Sequence, residues 1–299
     1  MAYPPPLVIP PRQLPHKQTF IILHGRGSSA DKFGPVLLDS TFELSRTAAA
    51  EHATLATAFP HARFIFPTAA RRRAALYRRA YTHQWFDNWE LDPPATEREE
   101  LQAPGLRETV AYLHDLIRTE VAGVPGGAAS VVLGGLSQGC AAVLVALMLW
   151  EGEPLAAAFG MCGWLPYAVR LREQMLPEAT GSLGTKDDAF DPFDRGESDD
   201  DDSESDPSMR AVDWLREEIQ LQRSQALPEI VLKNIPIFLG HGVDDEKVNV
   251  VLGRTASECL RDFGVCVDWK EYMSLGHWYS ADMLRDICVW IQSTTMWKV

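Results

Sequence analysis

Residues 135–139 read Gly-Leu-Ser-Gln-Gly, a G-x-S-x-G pattern. An apolar run, Ser130-Val131-Val132-Leu133-Gly134, precedes it, and a longer one from Gln138 to Trp150 follows. That order suits a serine on a sharp strand-to-helix turn, its hydroxyl raised above the sheet edge. Glycines on both sides keep strand and helix from colliding, and the helix aims its first amides at the site. Ser137 is then a candidate covalent nucleophile. The competing reading, a tight turn holding a polar residue, is the weaker one in this context.

A serine hydroxyl is a poor nucleophile near neutral pH and needs a histidine base oriented by an acid. At such an elbow the chain order is serine, acid, histidine. Two histidines follow Ser137. His277 lies in M-S-L-G-H-W-Y-S, just after the last strand candidate, where a base-bearing loop belongs. His241, at the tip of I-P-I-F-L-G-H, reads as a histidine that packs or hydrogen-bonds beside the acid's turn. The turn G-H-G-V-D-D-E-K-V offers Asp244, Asp245 and Glu246, and composition leaves the three open. An acyl oxyanion also needs two donors. The backbone N–H of Gln138, after the nucleophile, supplies one. The loop L-H-G-R-G-S-S (23–29) has an H-G-x-G form that offers the backbone N–H of Arg26 as the second. A phosphate-cradling G-x-G-x-x-G is not completed there, since residues 25–30 read G-R-G-S-S-A.

These residues need a scaffold. Strand-like runs occur at 19–25, 63–68, 130–135, 155–163, 235–242 and 266–273, with helical stretches at 104–122, 138–151, 248–263 and 280–297. Several strands are continuous apolar runs, as expected of central strands covered on both faces. The alternation predicts an α/β fold, a mostly parallel, doubly wound sheet. Residues 1–18 read as a Pro-rich tail and 19–299 as one domain, interrupted at about 180–208 by an acidic low-complexity insert expected to be disordered. The flank 209–223, with Val212, Leu215 and Ile219, reads as a short docked helix.

Charge is local. Of the net −13, residues 187–206 carry −10, leaving the remaining chain nearly neutral. The acidic run reads as a solvated spacer rather than a recruiting tail. The segment R-R-R-A-A-L-Y-R-R (71–79) reads as an exposed loop, with transient contact to a membrane surface as the alternative. No folded basic domain accompanies it, which argues against nucleic-acid binding. Five cysteines without a C-x-x-C pair argue against a disulfide framework or zinc knuckle and fit a reducing compartment. The start lacks a signal-peptide pattern, and the longest apolar run, Cys140 to Trp150, is about half of what a bilayer span needs. A cytoplasmic location is expected; nothing in the sequence specifies an oligomeric state.

Taken together, F-I-I-L-H-G-R-G, Q-W-F-D-N-W-E-L (84–91), V-V-L-G-G-L-S-Q-G-C-A, C-G-W-L-P (162–166), I-P-I-F-L-G-H-G-V-D-D-E-K-V and L-G-H-W-Y-S resemble the acyl-protein thioesterase and phospholipase/carboxylesterase family of α/β-hydrolases. The resemblance spans about 19–166 and 235–292. It implies an α/β-hydrolase fold and hydrolysis of acyl thioesters or carboxylic esters, as in protein depalmitoylation, through an acyl-enzyme and without metal or cofactor. Its H-G-x-x-D-x-x-V motif places the acid on Asp245, with Asp244 the fallback, and it supports Arg26 and Gln138 as oxyanion donors. The implied substrates are acylated proteins or small acyl esters. The alternatives are a lysophospholipase or small-molecule carboxylesterase, and a non-catalytic scaffold, which the complete set Ser137, Asp245 and His277 disfavours. Three positions depart from the family pattern: Arg26 replaces an apolar residue, Cys140 a glycine, and Glu246 a proline. Trp85, Phe86, Trp89, Leu165 and Trp278 are candidate walls of an acyl groove, each equally readable as core.

Overall fold

The computed structural model describes residues 2–44, 52–176, 206–223, 229–295 and 297. Eleven strands are described: β1 Leu7–Ile9, β2 Gln18–Leu23, β3 Phe42–Glu43, β4 His52–Ala53, β5 Ala62–Phe66, β6 Arg71–Ala74, β7 Ala80–His83, β8 Val131–Leu136, β9 Ala157–Met161, β10 Ile237–Gly242 and β11 Val267–Tyr272. The α-helices are α1 Ala30–Asp39, α2 Leu55–Ala58, α3 Ala103–Gly123, α4 Gln138–Met148, α5 Ala168–Met175, α6 Pro207–Glu218, α7 Val250–Asp262 and α8 Ala281–Thr294.

Seven strands make one sheet in the order β1-β5-β2-β8-β9-β10-β11. All neighbours are parallel except β1 against β5. Alternate residues of each strand feed two cores. Ile21, Leu23, Val131 and Leu133 pack with α3, α4, α5, α6 and α7 on one face. Phe20, Ile22, Val132 and Leu136 pack with α1, α2 and α8 on the other. The sheet is therefore sandwiched between two helix layers, the doubly wound arrangement that the alternating sequence predicts. Every residue of α4 is buried, so this helix is apolar all round, as a helix at the centre of a large core must be. No helix among the described residues is long and apolar enough to cross a membrane.

Register aligns the carboxyl ends of the central strands. Leu23 pairs with Gly135, Leu136 with Met161, Met161 with Gly240 and Gly242 with Tyr272. The loops after β2, β8, β10 and β11 consequently emerge side by side at one sheet edge, where ligands bind in open α/β sheets.

Three expectations change in detail. Part of the Pro-rich segment expected as a tail is the edge strand β1, antiparallel to β5, a place where prolines nearby cost no ladder bonds. Tyr3, ahead of it, stacks on Tyr112 at a centroid distance of 3.9 Å and bonds Thr109 Oγ1 at 2.9 Å. The arginine-rich stretch expected as a loop is a two-stranded hairpin, β6 and β7. Alternation turns Arg72 inward, where it meets Glu108 at 2.9 Å and donates to Tyr3 Oη at 3.1 Å; Arg71 and Arg73 face out. The expected helix after the acidic insert is α6, started by Asp206, whose carboxylate accepts from Ser208 N at 2.9 Å. Its Ala211, Val212 and Leu215 are buried, as is Ile219 just beyond it. Residues 177–205, which hold nearly all of the acidic insert, lie outside the described residues.

Candidate active site

Ser137 follows β8 directly and caps α4 with φ 57° and ψ −122°. A non-glycine residue with positive φ persists only where its surroundings over-determine it. Here its N–H donates to Met161 O at 2.8 Å and its carbonyl accepts from Ala141 N at 3.1 Å. The flanking glycines answer to close approach. A Cβ on Gly135 would lie 2.4 Å from the Gly139 carbonyl carbon, and one on Gly139 2.5 Å from Leu23 O. The elbow can turn this tightly only because both positions lack a side chain.

His277, from the loop after β11, brings Nε2 to 2.9 Å from Ser137 Oγ and Nδ1 to 2.8 Å from Asp245 Oδ2. An ionised carboxylate only accepts, so Nδ1 carries the hydrogen and Nε2 of the neutral ring is left to accept from the serine hydroxyl. Of the three acids open from composition, Asp245 is the one that meets His277; Asp244 and Glu246 face solvent. Asp245 is buried, which alone would raise its pKa. Hydrogen bonds from His241, His277 and the Val248 amide outweigh that and hold it well below the usual carboxylate range. Its Oδ1 accepts from the Lys247 and Val248 amides, both at 2.9 Å. His241 sits beside this turn, as expected from its place at the strand tip, and does not reach the serine through any described contact.

The loop after β2 supplies the other wall. The amides of Gly27 and Ser28 are spent on His83 O and Gly25 O, which leaves the Arg26 N–H as the loop's candidate donor. Gln138 opens α4, so its N–H has no intrahelical partner. Both residues line the cleft with Ser137 and His277. His24 anchors the loop from below. Ala69 N donates to His24 Nε2 at 3.0 Å, so the ring is neutral there and Nδ1 donates to Gly25 O at 2.7 Å. Burial lowers its pKa to about 4, consistent with that tautomer.

The Gln138 side chain ties the elbow to the W-F-D-N segment. Its Oε1 accepts from Trp85 N at 2.9 Å, and its Nε2 donates to Phe86 O at 2.7 Å and Asn88 Oδ1 at 3.1 Å. Arg26 Nη2 donates to the same Asn88 oxygen. Asn88 thus joins the two candidate oxyanion residues, a role the sequence signals only by its place within W-F-D-N. Trp85, Phe86 and Leu165 are core; Trp89 and Trp278 do line the cleft, with Phe33, Leu76, Leu91 and Trp164. The cleft holds about 460 Å³, within the range of small-molecule sites.

Cys140 lies directly behind Ser137. Cβ atoms on Gly160 and Gly163 would come within 2.3 and 2.4 Å of its Sγ, so the thiol fills space that two facing glycines vacate. Burial raises its pKa, and burial pushes that of Cys162 up to about 12. Both are packing thiols rather than nucleophiles.

A serine on a strained elbow, a histidine at its hydroxyl and a buried aspartate behind the histidine, on a doubly wound sheet, define an α/β-hydrolase. The profile of the phospholipase/carboxylesterase family matches residues 5–181 and 218–295, and the chain belongs to that family. It is 26% identical to acyl-protein thioesterase 1 of Yarrowia lipolytica over 97% of both chains. It is 24% identical to carboxylesterase SOBER1 of Arabidopsis thaliana, over 92% of this chain and 90% of that one. Among solved structures, Zea mays acyl-protein thioesterase 2 superposes with a TM-score of 0.63 at 22% identity, covering 97% of this chain and 98% of the other. That structural likeness speaks for the fold.

Proposed function

We propose that the chain is a serine hydrolase that cleaves acyl thioesters and carboxylic esters through Ser137, His277 and Asp245. The observation that carries this reading is the continuous relay from Ser137 Oγ to His277 Nε2 at 2.9 Å and from His277 Nδ1 to Asp245 Oδ2 at 2.8 Å. His277 takes the hydroxyl proton as Ser137 Oγ bonds to the acyl carbon, and the Arg26 and Gln138 amides hold the oxyanion. The intermediate collapses when His277 returns the proton to the departing thiolate or alkoxide. Asp245 keeps the imidazole in the required tautomer and stabilises the transient imidazolium. Water, deprotonated by His277, then attacks the acyl-enzyme, and Ser137 leaves with the proton.

The acyl group is an apolar chain lying along Phe33, Leu76, Trp89 and Leu91, which suits the acyl-protein thioesterase named among the relatives. Lysophospholipase and small-ester activity use the same relay and differ only in leaving group. The test is labelling by a fluorophosphonate probe. We expect the wild type to label at Ser137 and Ser137→Ala to remain unlabelled; no labelling of the folded wild type would overturn the reading. Rates on palmitoyl-thioester peptides, lysophospholipids and p-nitrophenyl esters then order the leaving groups.

A further inference from the structure

The Arg26 side chain lies half-buried in the wall of the cleft. Its described hydrogen-bond partners are neutral: Asn88 Oδ1, and Tyr77, whose ring lies 5.6 Å from the guanidinium carbon. Asp87 favours the guanidinium charge through space but turns both carboxylate oxygens to the Ala75 amide at 3.1 Å. No carboxylate forms an ion pair with Arg26 among the described residues. A guanidinium has five N–H donors, and the described hydrogen bonds of Arg26 go only to Asn88 and Tyr77.

The rest of the lining points the same way. Among the described residues that line the cleft, Arg26 and Lys247 are the Lys and Arg side chains, and there is no Asp or Glu. Asp245, behind His277, is fully occupied by the two histidines and two backbone amides. β2 pairs with β8 on one side and β10 lies beyond β9 on the other, so Arg26 and Lys247 come from loops on opposite sides of the elbow. Burial of Arg26 disfavours its charged form more than Tyr77 and Asp87 favour it, and a partly desolvated cation that forms no direct ion pair is costly. An anion delivered by the substrate relieves that cost and gains charge-assisted hydrogen bonds.

We propose that Arg26, aided by Lys247, forms an anion subsite beside Ser137 that selects acyl substrates carrying a carboxylate or phosphate group. The subsite rests on the serine-hydrolase reading above and adds to it a charge requirement on the substrate. Arg26 acts here through its side chain, independently of its backbone amide, and sets specificity rather than chemistry.

Two pairs of esters test this and locate the anion. p-Nitrophenyl hydrogen glutarate against p-nitrophenyl valerate places the charge in the acyl part. Decanoyl glycerol phosphate against monodecanoyl glycerol places it in the leaving group. In at least one pair we expect kcat/KM to favour the anionic member by about tenfold, the worth of one charge-assisted hydrogen bond. The ratio should fall to near unity in Arg26→Met, return in part in Arg26→Lys, and drop with Lys247→Met or added salt. Because the readout is a ratio within each variant, a general loss of rate from a disturbed oxyanion loop cancels. Equal rates within both pairs, or a preference untouched by Arg26→Met, would overturn the subsite while Ser137 labelling leaves the hydrolase standing. A folded wild type that neither labels nor turns over any of the four esters would overturn both.

Discussion

His241, near the end of β10, and Asp245, in the turn after it, stand four residues apart, with His241 Nε2 3.2 Å from Asp245 Oδ2 and 2.8 Å from Val248 O. Both neighbours are acceptors, so Nε2 carries a hydrogen and shares it between them. The opposite edge of the ring is wedged against α7, where a Cβ on Gly253 would lie 2.4 Å from Nδ1. His241 thus fixes the carboxylate that fixes His277, and acts as a positioning residue. His241→Phe should fill the space yet lower kcat by about tenfold, with KM little changed. His241→Gln, which can present an N–H near the same point, should recover part of that loss. Equal rates for the Phe variant and wild type would show that Asp245 needs no such support.

Asp245 links the site to folding. Its pKa is depressed in the folded chain relative to an ordinary 3.8, so its ionised form contributes stability above that value. The contribution is lost as pH falls below about 4 and toward the folded-state pKa. Asp245→Asn removes the charge but not the volume. Thermal midpoints should separate wild type from Asp245→Asn at pH 7, and the gap should narrow between about pH 4 and pH 3. A gap independent of pH would mean that packing, not the charge, carries the difference.

The acid turn also permits a clean discrimination. Asp244 and Glu246 face solvent, and Asp244 binds the His277 loop through its backbone, N to Leu275 O at 3.0 Å. Asp244→Asn and Glu246→Gln should keep kcat/KM within about twofold, as surface changes do. Asp245→Asn should lower it by about a thousandfold or more, because an amide can hold the imidazole in the wrong tautomer. A comparable loss in Asp244→Asn would assign the orienting role to the wrong neighbour.

How far the sequence could be read depended on which signals were local. The elbow was legible because a strand, two glycines and an apolar helix sit within about twenty contiguous residues, and the sheet because its central strands are apolar on both faces. Asp245 was not separable from Asp244 by composition, since the choice depends on which side chain the turn directs at His277, a contact 32 residues away. β1 escaped notice because three residues among prolines carry little periodicity and are held by long-range pairing to β5. The hairpin of β6 and β7 was hidden by its arginines, which mask an alternation visible only once Arg72 is seen against Glu108. The W-F-D-N context marks Asn88 but not its two partners, which lie 50 and 62 residues away.

Cys140 supplies the last prediction. Its side chain occupies a gap bordered by Gly160 and Gly163, so the larger residue on α4 is matched by the absence of side chains on β9 and the loop beyond it. Cys140→Gly should therefore destabilise this chain by about 2 kcal/mol through lost packing and a glycine inside a helix. Gly160→Ala should cost about 1–3 kcal/mol, because the new Cβ meets Cys140 Sγ and, less severely, the end of the Leu239 side chain. In the double variant the methyl enters space the thiol has left, so the combined loss should fall short of the sum by about 1 kcal/mol or more. Denaturant midpoints of the four proteins measure this coupling. Strict additivity would show that the cysteine and the glycine do not share that volume.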